Sequence, residues 1–457
     1  MSPNSFCKFT KKEFMKLFED FTIKFEKPDW ARDPELGLID TIIEQHPHLI
    51  ALLQEDITKG KNQNIFGRKD VPSVEQIVRA AIYKELKGLD YRKLEYHQVD
   101  SRICALFVKI DELRPYSFQM YQKYISQIRP DNLQKLLIEL NKIAIEEGIE
   151  EIKSIRQDST VVETDIHHPT NNAIIWDCIK EAYRLLGHLK EEINGLSYQD
   201  YTKQGKRTYF KINYTKGDKR KELFNNQLIL FVKTINQVSN VIKKNPSSGI
   251  KSMALILQLE RHIEVMQLVY DMVYRKEIKG EKVPNEEKIY SIHEKHTDIV
   301  VKGGREIKFG HKVDFSSGKS NLILHCQVLR GNPSDSKLFG PAIDSIVENY
   351  GIVPRDCTTD GGYASLSNQS HAKEKGITNI VFNKIVGSLN NIASSKNMET
   401  RLKKWRSGME AVISNIKRGY NLSRCTWKGW QHFVAKVLWS VIAYNIRVMT
   451  AHVVRLI

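Results

Sequence analysis

Along the first third of the chain, apolar residues recur at helical spacing. After Pro72, Ser73-Val-Glu-Gln76 has the pattern of a capping box, and Ile77, Ala81, Ile82 and Leu86 then fall near one face before Gly88. Short helices are predicted over 91–99 and from Ser117, the second presenting Tyr121, Tyr124, Ile125 and Ile128. Pro130-Asp131 opens a strongly amphipathic helix carrying Leu133, Leu136, Leu137, Leu140, Ile143 and Ala144 on one stripe. Residues 1–148 thus read as one helical region. It is either a DNA-binding module of helix-turn-helix type or a scaffold packed on its neighbour.

The pattern changes at Gly148. Residues 149–163 alternate as a strand does, and helical spacing returns over 173–193, 221–244 and 252–279. The last piece places Leu255, Leu259, Ile263, Met266 and Val273 on a narrow stripe suited to a helical hairpin, with Pro246-Ser-Ser-Gly249 as its turn. Beyond about 288, strands and helices interleave. Strands are expected over 309–315 and 322–329, joined by Ser316-Ser-Gly-Lys319, and over 352–359 and 377–382. Helices are expected over 335–350, 364–375, 399–417 and 427–454. The predicted fold class is α+β: a helical N-terminal region, 1–148, then a mixed sheet with helices on both faces, 149–457, interrupted by a helical insertion over about 173–285.

Charge adds a partner to this picture. The 457 residues hold 70 Lys and Arg against 54 Asp and Glu, a net +16, and 41% are hydrophobic. That is enough apolar content for packed cores, and the basic excess points to a polyanion, most often nucleic acid. The six cysteines (Cys7, Cys104, Cys178, Cys326, Cys357 and Cys425) are scattered with no C-x-x-C pair, which argues against a zinc ribbon or redox pair and fits a reducing cytosol. The N-terminus lacks an apolar secretory core. The apolar stretch 433–449 carries Lys436, Ser440, Asn445 and Arg447, so it is expected as a buried helix rather than a membrane span.

Three acids stand out by context. Asp158 lies inside a strand-like run, where a lone charge is costly to bury unless paired or bound to metal. Asp360 ends an apolar strand at Gly361-Gly362, where ligand sites of open sheets tend to lie. Glu410 is the sole acid among eight cations between Arg401 and Lys428. Each alone is more simply a cap, a turn or a solvated group. Together, in that order around a mixed sheet, they form the acidic cluster of an RNase H-like nuclease. The neighbouring acids take blander readings: Glu163 on the opposite strand face, Asp335 as a helix N-cap, Asp356 solvated. His167 and His168 read as loop, and His311 as a hydrogen-bonded structural group. Trp405 is either a packing residue or a stacking platform for a distorted base.

These residues carry a family resemblance. Asp158-Ser-Thr-Val-Val-Glu-Thr, His167-His-Pro-Thr-Asn, Glu294-Lys-His-Thr-Asp298, Phe309-Gly-His-Lys-Val313, Gly331-Asn-Pro-Ser-Asp-Ser336, Thr359-Asp-Gly-Gly-Tyr-Ala364 and Arg406-Ser-Gly-Met-Glu410 with Lys417-Arg418 resemble a bacterial insertion-sequence transposase of the DDE type, nearest the ISNCY group. The resemblance implies Asp158, Asp360 and Glu410 as both catalytic triad and metal ligands. They would bind two Mg²⁺ ions, with Mn²⁺ as substitute, to activate water or a 3′-hydroxyl. Arg406, Glu410 and Lys417 keep the spacing of a Tyr-Arg-Glu-Lys helical signature, while its tyrosine position holds Lys403.

The expected DNA contacts are Lys403, Arg406, Lys417, Arg418 and Lys312 near the acids. Lys206, Arg207, Lys211, Lys219, Arg220 and Lys221 join them from the basic–aromatic stretch 201–221, whose alternative reading is a solvated linker. The expected activity is cleavage at terminal inverted repeats and transfer of 3′ ends to target DNA, by a homodimer or larger assembly on DNA in the cytoplasm, at the nucleoid, with no membrane partner. The alternatives are an RNase H-like nuclease without strand transfer and an inactive DNA-binding remnant.

Overall fold

The computed structural model describes residues 14–454 apart from 19–20, 25–29, 31, 60–70, 112–113, 246–248, 303–305 and 386. The expected turn at Pro246–Gly249 and the thiol of Cys7 lie largely or wholly outside these residues. Two compact units are present. One joins the chain up to Glu163 with the chain from His311 onward, and the other is Thr164–Gly310.

Along the chain, the antiparallel pair β1 (Phe14–Phe18) and β2 (Phe21–Lys24) precedes α1 (Pro34–Gln45), α2 (His48–Thr58), α3 (Val74–Leu86), α4 (Tyr91–Asp100), α5 (Arg102–Val108), α6 (Phe118–Gln127) and α7 (Pro130–Glu146). Strand β3 (Ser154–Thr164) leads into α8 (Asn171–Glu192), α9 (Thr202–Tyr214), α10 (Asp218–Lys244), α11 (Ile250–Val273) and β4 (Asp298–Lys302). Then come β5 (Glu306–Ser317), β6 (Ile323–Val328), α12 (Phe339–Tyr350), β7 (Asp356–Asp360), α13 (Leu366–Glu374), β8 (Asn379–Asn383), α14 (Lys396–Arg406), α15 (Gly408–Gly419), β9 (Arg424–Cys425) and α16 (Trp430–Val454). The seven-stranded sheet runs β4-β5-β3-β7-β8, with β6 on β5 and β9 on β3. The β3–β7 and β7–β8 pairs are parallel and β5–β6 is antiparallel, so the sheet is mixed. This is an α+β fold of RNase H-like type.

Local chemistry explains the helix starts. Ser73 accepts from the Gln76 amide at 3.2 Å while the Gln76 side chain accepts from the Ser73 amide at 2.8 Å, completing the expected box. The stripe Leu133, Leu136, Leu137, Leu140, Ile143 and Ala144 of α7 is buried as predicted. It packs against α16, and α3 joins the same core, which also takes in Val313 and Phe315 of β5 and Met409 and Val412 of α15. The N-terminal helices therefore share one core with the sheet unit across the expected boundary at 148. The sheet's other face is covered by α12 and α13 through Phe339, Ile343, Ile346 and Ala372.

Helix α16 is the one helix among the described residues long and apolar enough to cross a membrane, and 72% of its most apolar window is buried. Lys436, Ser440, Asn445 and Arg447 are all hydrogen-bonded. Lys436 donates to Glu85 and to the Tyr420 carbonyl at 3.0 Å, and Asn445 donates to Asn141 at 2.8 Å and accepts from the Ile323 amide at 3.0 Å. Arg447 donates to Glu35 at 2.6 Å. Those bonds tie α16 to α3, α7, α1 and β6.

The second unit is a cluster of α8, α9, α10 and α11 around Ile179, Leu186, Phe224, Phe231, Met266 and Val269. It differs from the expected hairpin because α8 supplies a third long apolar face. The stretch 201–221 is a helix and the start of another, not a linker: Ile212 and Gly205 are buried, and a side chain at Gly205 would meet the Trp176 ring at 3.0 Å.

Three further expectations change. The strand expected from 352 begins at Asp356, after Pro354, which has no amide to donate. The helix expected over 335–350 divides into a 3₁₀ turn, Asp335–Lys337, and α12. The helix expected over 399–417 divides at Ser407 into α14 and α15.

Candidate active site

The sheet and the helical break bring the three acids together. Asp158 is mid-way along β3, Asp360 ends β7, and Glu410 lies in the first turn of α15, where a carboxylate also favours the helix dipole. Between them stands Arg406, the last residue of α14. Its Nη2 lies 2.7 Å from Asp158 Oδ2 and 3.8 Å from Asp360 Oδ2, and its Nη1 lies 2.9 Å from Glu410 Oε1. Arg406 is only 6% exposed, whereas the Glu410 side chain is 68% exposed. Three carboxylates thus converge on one buried cation. Arg406 was expected at DNA phosphate; in this structure it neutralises the acids.

Two glycines permit the approach. A Cβ at Gly361 would lie 2.3 Å from the Lys384 carbonyl oxygen, so the turn after Asp360 admits only glycine. A Cβ at Gly408 would lie 2.2 Å from Arg156 Nη1. Arg156, buried under the break between α14 and α15, donates to Ser317 Oγ at 3.0 Å and to the Trp405 carbonyl at 2.9 Å. Its guanidinium covers the Trp405 ring at 4.9 Å, so Trp405 packs on a cation within the fold.

The remaining expected residues divide. Lys417 donates to the Val161 carbonyl at 2.7 Å, pinning α15 to β3. Arg418 is exposed at the end of α15, and Lys403 pairs with Glu399 one turn away at 2.6 Å. Lys312, expected at DNA, is 9% exposed and donates to the Pro333 carbonyl at 2.7 Å and to Asp335 at 3.1 Å. Lys206, Arg207, Lys211, Lys219, Arg220 and Lys221 belong to the second unit and are all exposed. There Tyr214 is 84% exposed and Arg220 lies over the Phe224 ring at 5.5 Å.

Two acids are corrected. Asp335 caps no α-helix; its Oδ1 accepts from Ser159 at 3.0 Å, next to Asp158, making it a fourth acid at this edge. Its membership in the Gly331–Ser336 motif was the signal for it. Asp356 is fully buried instead of solvated. Burial opposes its charge, but bonds from Arg355, Asn379 and Ser154 outweigh that and hold its carboxyl below the usual range.

A further acid was missed. Asp314 is fully buried and accepts from Gln157 at 2.7 Å and from the Tyr363 hydroxyl at 2.9 Å, residues adjacent to Asp158 and near Asp360. Burial pushes its carboxyl up to about 7. His325, 3.8 Å away, is pushed down to about 4 by burial. No helical or strand period marks such a group; its strand position alone gives no hint of partners on other elements.

The histidines hold structural positions. His311 packs edge-on to Trp430 and Phe433 at 4.8 and 4.9 Å. In the second unit, His167 pairs with Asp177 at 2.5 Å and His168 packs on Phe309. Glu163 pairs with Arg424 at 3.3 Å. The five described cysteines are buried. Among the described residues, no three carboxylate, imidazole or thiol groups are gathered as a metal site; the converging acids hold the guanidinium.

No curated protein and no solved structure gives a significant match to the chain. Residues 308–446 match the family model described as Transposase DDE domain. That segment, under a third of the chain, includes Asp360, Arg406 and Glu410 but begins after Asp158, which the sheet places beside them. The match supports a DDE-type transposase.

Proposed function

We propose that this chain is an insertion-sequence transposase, nearest the ISNCY group, that binds terminal inverted repeats, cuts DNA strands and transfers their 3′ ends to target DNA. The observation that carries the reading is the convergence of Asp158, Asp360 and Glu410 on one cation position, two of them inside the matched segment.

The donor set fits a hard divalent cation: all three groups are carboxylates, and the place they surround already holds positive charge. Asp158, Asp360 and Glu410 would hold Mg²⁺ or Mn²⁺, which supplies activation of a water or 3′-hydroxyl and stabilises the leaving oxygen. With such an ion bound, the acids would no longer depend on Arg406 for charge balance. Arg418 and Lys403 add phosphate contacts at the helix surface, and Lys417 holds α15 against β3 so that Glu410 stays in register with Asp158. The exposed cations of α9 and α10 bind DNA backbone beyond the cut site. Two element ends in one reaction call for at least a homodimer on DNA, and the setting is the cytoplasmic nucleoid.

The test is strand cleavage and strand transfer with the repeats that flank the gene, with and without Mg²⁺. Cleaved and joined products are expected, and Asp158→Ala, Asp360→Ala or Glu410→Ala should each abolish both while leaving end binding intact. Retained cleavage by Asp158→Ala would remove the triad assignment. Cleavage without joining would favour a nuclease, and binding without any metal-dependent product an inactive remnant.

A further inference from the structure

A second basic feature of the sheet unit lies away from the acids. A cleft of about 800 Å³ opens between the start of α4 and the β9–α16 segment. Lys84, Lys93, Arg424, Lys428 and Lys436 line it, with Asp90 as the one carboxylate. On its wall, Tyr91 and Trp427 stack at 6.1 Å, and Lys84 Nζ sits 4.9 and 5.4 Å from the two rings. Below, Lys84 and Lys436 share a single buried carboxylate, Glu85. Two buried cations against one anion leave net positive charge under the floor, where low dielectric strengthens its reach. At the rim, Lys93 and Lys428 are exposed, with no ion-pair partner among the described residues.

The cleft is joined to the acids by one strand. Arg424 of β9 pairs with Glu163 at 3.3 Å, and the Glu163 amide donates to the Ser423 carbonyl at 3.1 Å. Glu163 lies five residues beyond Asp158 on β3. At about 3.3 Å per residue this is about 16 Å, roughly five base-pair steps of about 3.4 Å. That is the rise along β3 between Asp158 and the residue that holds Arg424.

We propose that this cleft grips the phosphate backbone of the DNA duplex cut at the acids, about five base pairs from the scissile phosphate. The position relative to the cut rests on the strand-cleavage reading above; the cleft as a DNA site does not. The test uses the full chain with Lys93→Gln and Lys428→Gln combined, and a duplex of arbitrary sequence as probe. Both side chains are exposed, so the melting temperature should be unchanged, and Lys428→Glu alone serves as a second variant. The slope of log affinity against log salt should shrink by about 1.8, at about 0.9 per lost phosphate contact. An unchanged slope, or a loss of binding to polyglutamate but not to the duplex, overturns the cleft whether or not the duplex is cut. A reduced slope in a protein that cuts no duplex with any divalent metal overturns the cleavage reading and leaves the cleft standing as a DNA site. Where cleavage occurs, phosphate ethylation should interfere near the fifth step from the cut, and interference confined to the cut itself overturns the proposed position.

Discussion

The two units use the same residue types in opposite ways. In the sheet unit, three cations that pair with acids are buried: Arg406 among the three site carboxylates, Lys312 beside Asp335, and Arg79, wholly buried, with Asp40 at 2.6 Å and Glu75 at 2.8 Å. In the helical unit, Lys206, Arg207, Lys211, Lys219, Arg220 and Lys221 are exposed, with no ion-pair partner among the described residues. A buried cation bears a desolvation cost of several kcal/mol, so it survives only where carboxylates or other buried acceptors repay it, and beside carboxylates its role is to organise them. An exposed cation keeps its counterions and exchanges them for phosphate at little cost. Positive charge alone thus says nothing about DNA contact; burial divides organisers from binders.

The largest test of this division concerns the two cores. Phe433→Ala in the sheet unit and Phe231→Ala in the helical unit each empty a fully buried site and should cost about 3–5 kcal/mol. Hydrogen exchange should show the first loosening α7 and α16 and the second loosening α8, α10 and α11; identical exchange patterns from both variants would erase the two-unit distinction.

Next in size is Arg406→Ala, which leaves three carboxylates facing one another. A loss of about 1–3 kcal/mol is expected in metal-free buffer, recovered by added Mn²⁺ in a thermal melt. No loss, or no recovery, would mean that the guanidinium is not their counter-ion.

A smaller effect follows from Asp314. Its folded carboxyl titrates near 7, above the unfolded value, so its contribution to stability is full below about pH 4 and is lost as pH rises through about 7. Asp314→Asn should flatten the fall in urea midpoint between about pH 4 and 7, the span between its unfolded and folded values. An unaltered pH profile would show that Asp314 is not held neutral by burial.

The smallest stability effect is expected from Lys206, Arg207 and Lys211 changed together to Gln. Stability should not move, while the salt slope of duplex binding should shrink by roughly 2.7, at about 0.9 per contact. An unchanged slope would make the α9 face a solvated surface and end the contrast between the units.

Much of this was legible in the chain. The capping box at Ser73, the α7 stripe and the buried character of α16 follow from local pattern, because 3.6-residue spacing and cap chemistry are properties of a few consecutive residues. Asp158, Asp360 and Glu410 could be picked out by context and order, and the structure shows them meeting at Arg406. The helix 202–214 was hidden because its buried face is only Gly205 and Ile212, too narrow for a periodic signal. The Asp335, Asp356 and Asp314 environments are not legible because their partners lie on other elements: Ser159 and Lys312, Ser154 and Asn379, Gln157 and Tyr363.

Periodicity and composition thus give most of the element types, the α+β class and the basic surplus, and they single out three acids by context, since each is written in near neighbours or in counts. Packing settles which cations face water. Arg406 and Arg207 are the same letter in the chain; one lies where a sheet edge and a broken helix bring three carboxylates around it, the other on a helix face with solvent beyond. That difference arises from contacts between residues far apart in sequence, through the desolvation and pairing energies those contacts create.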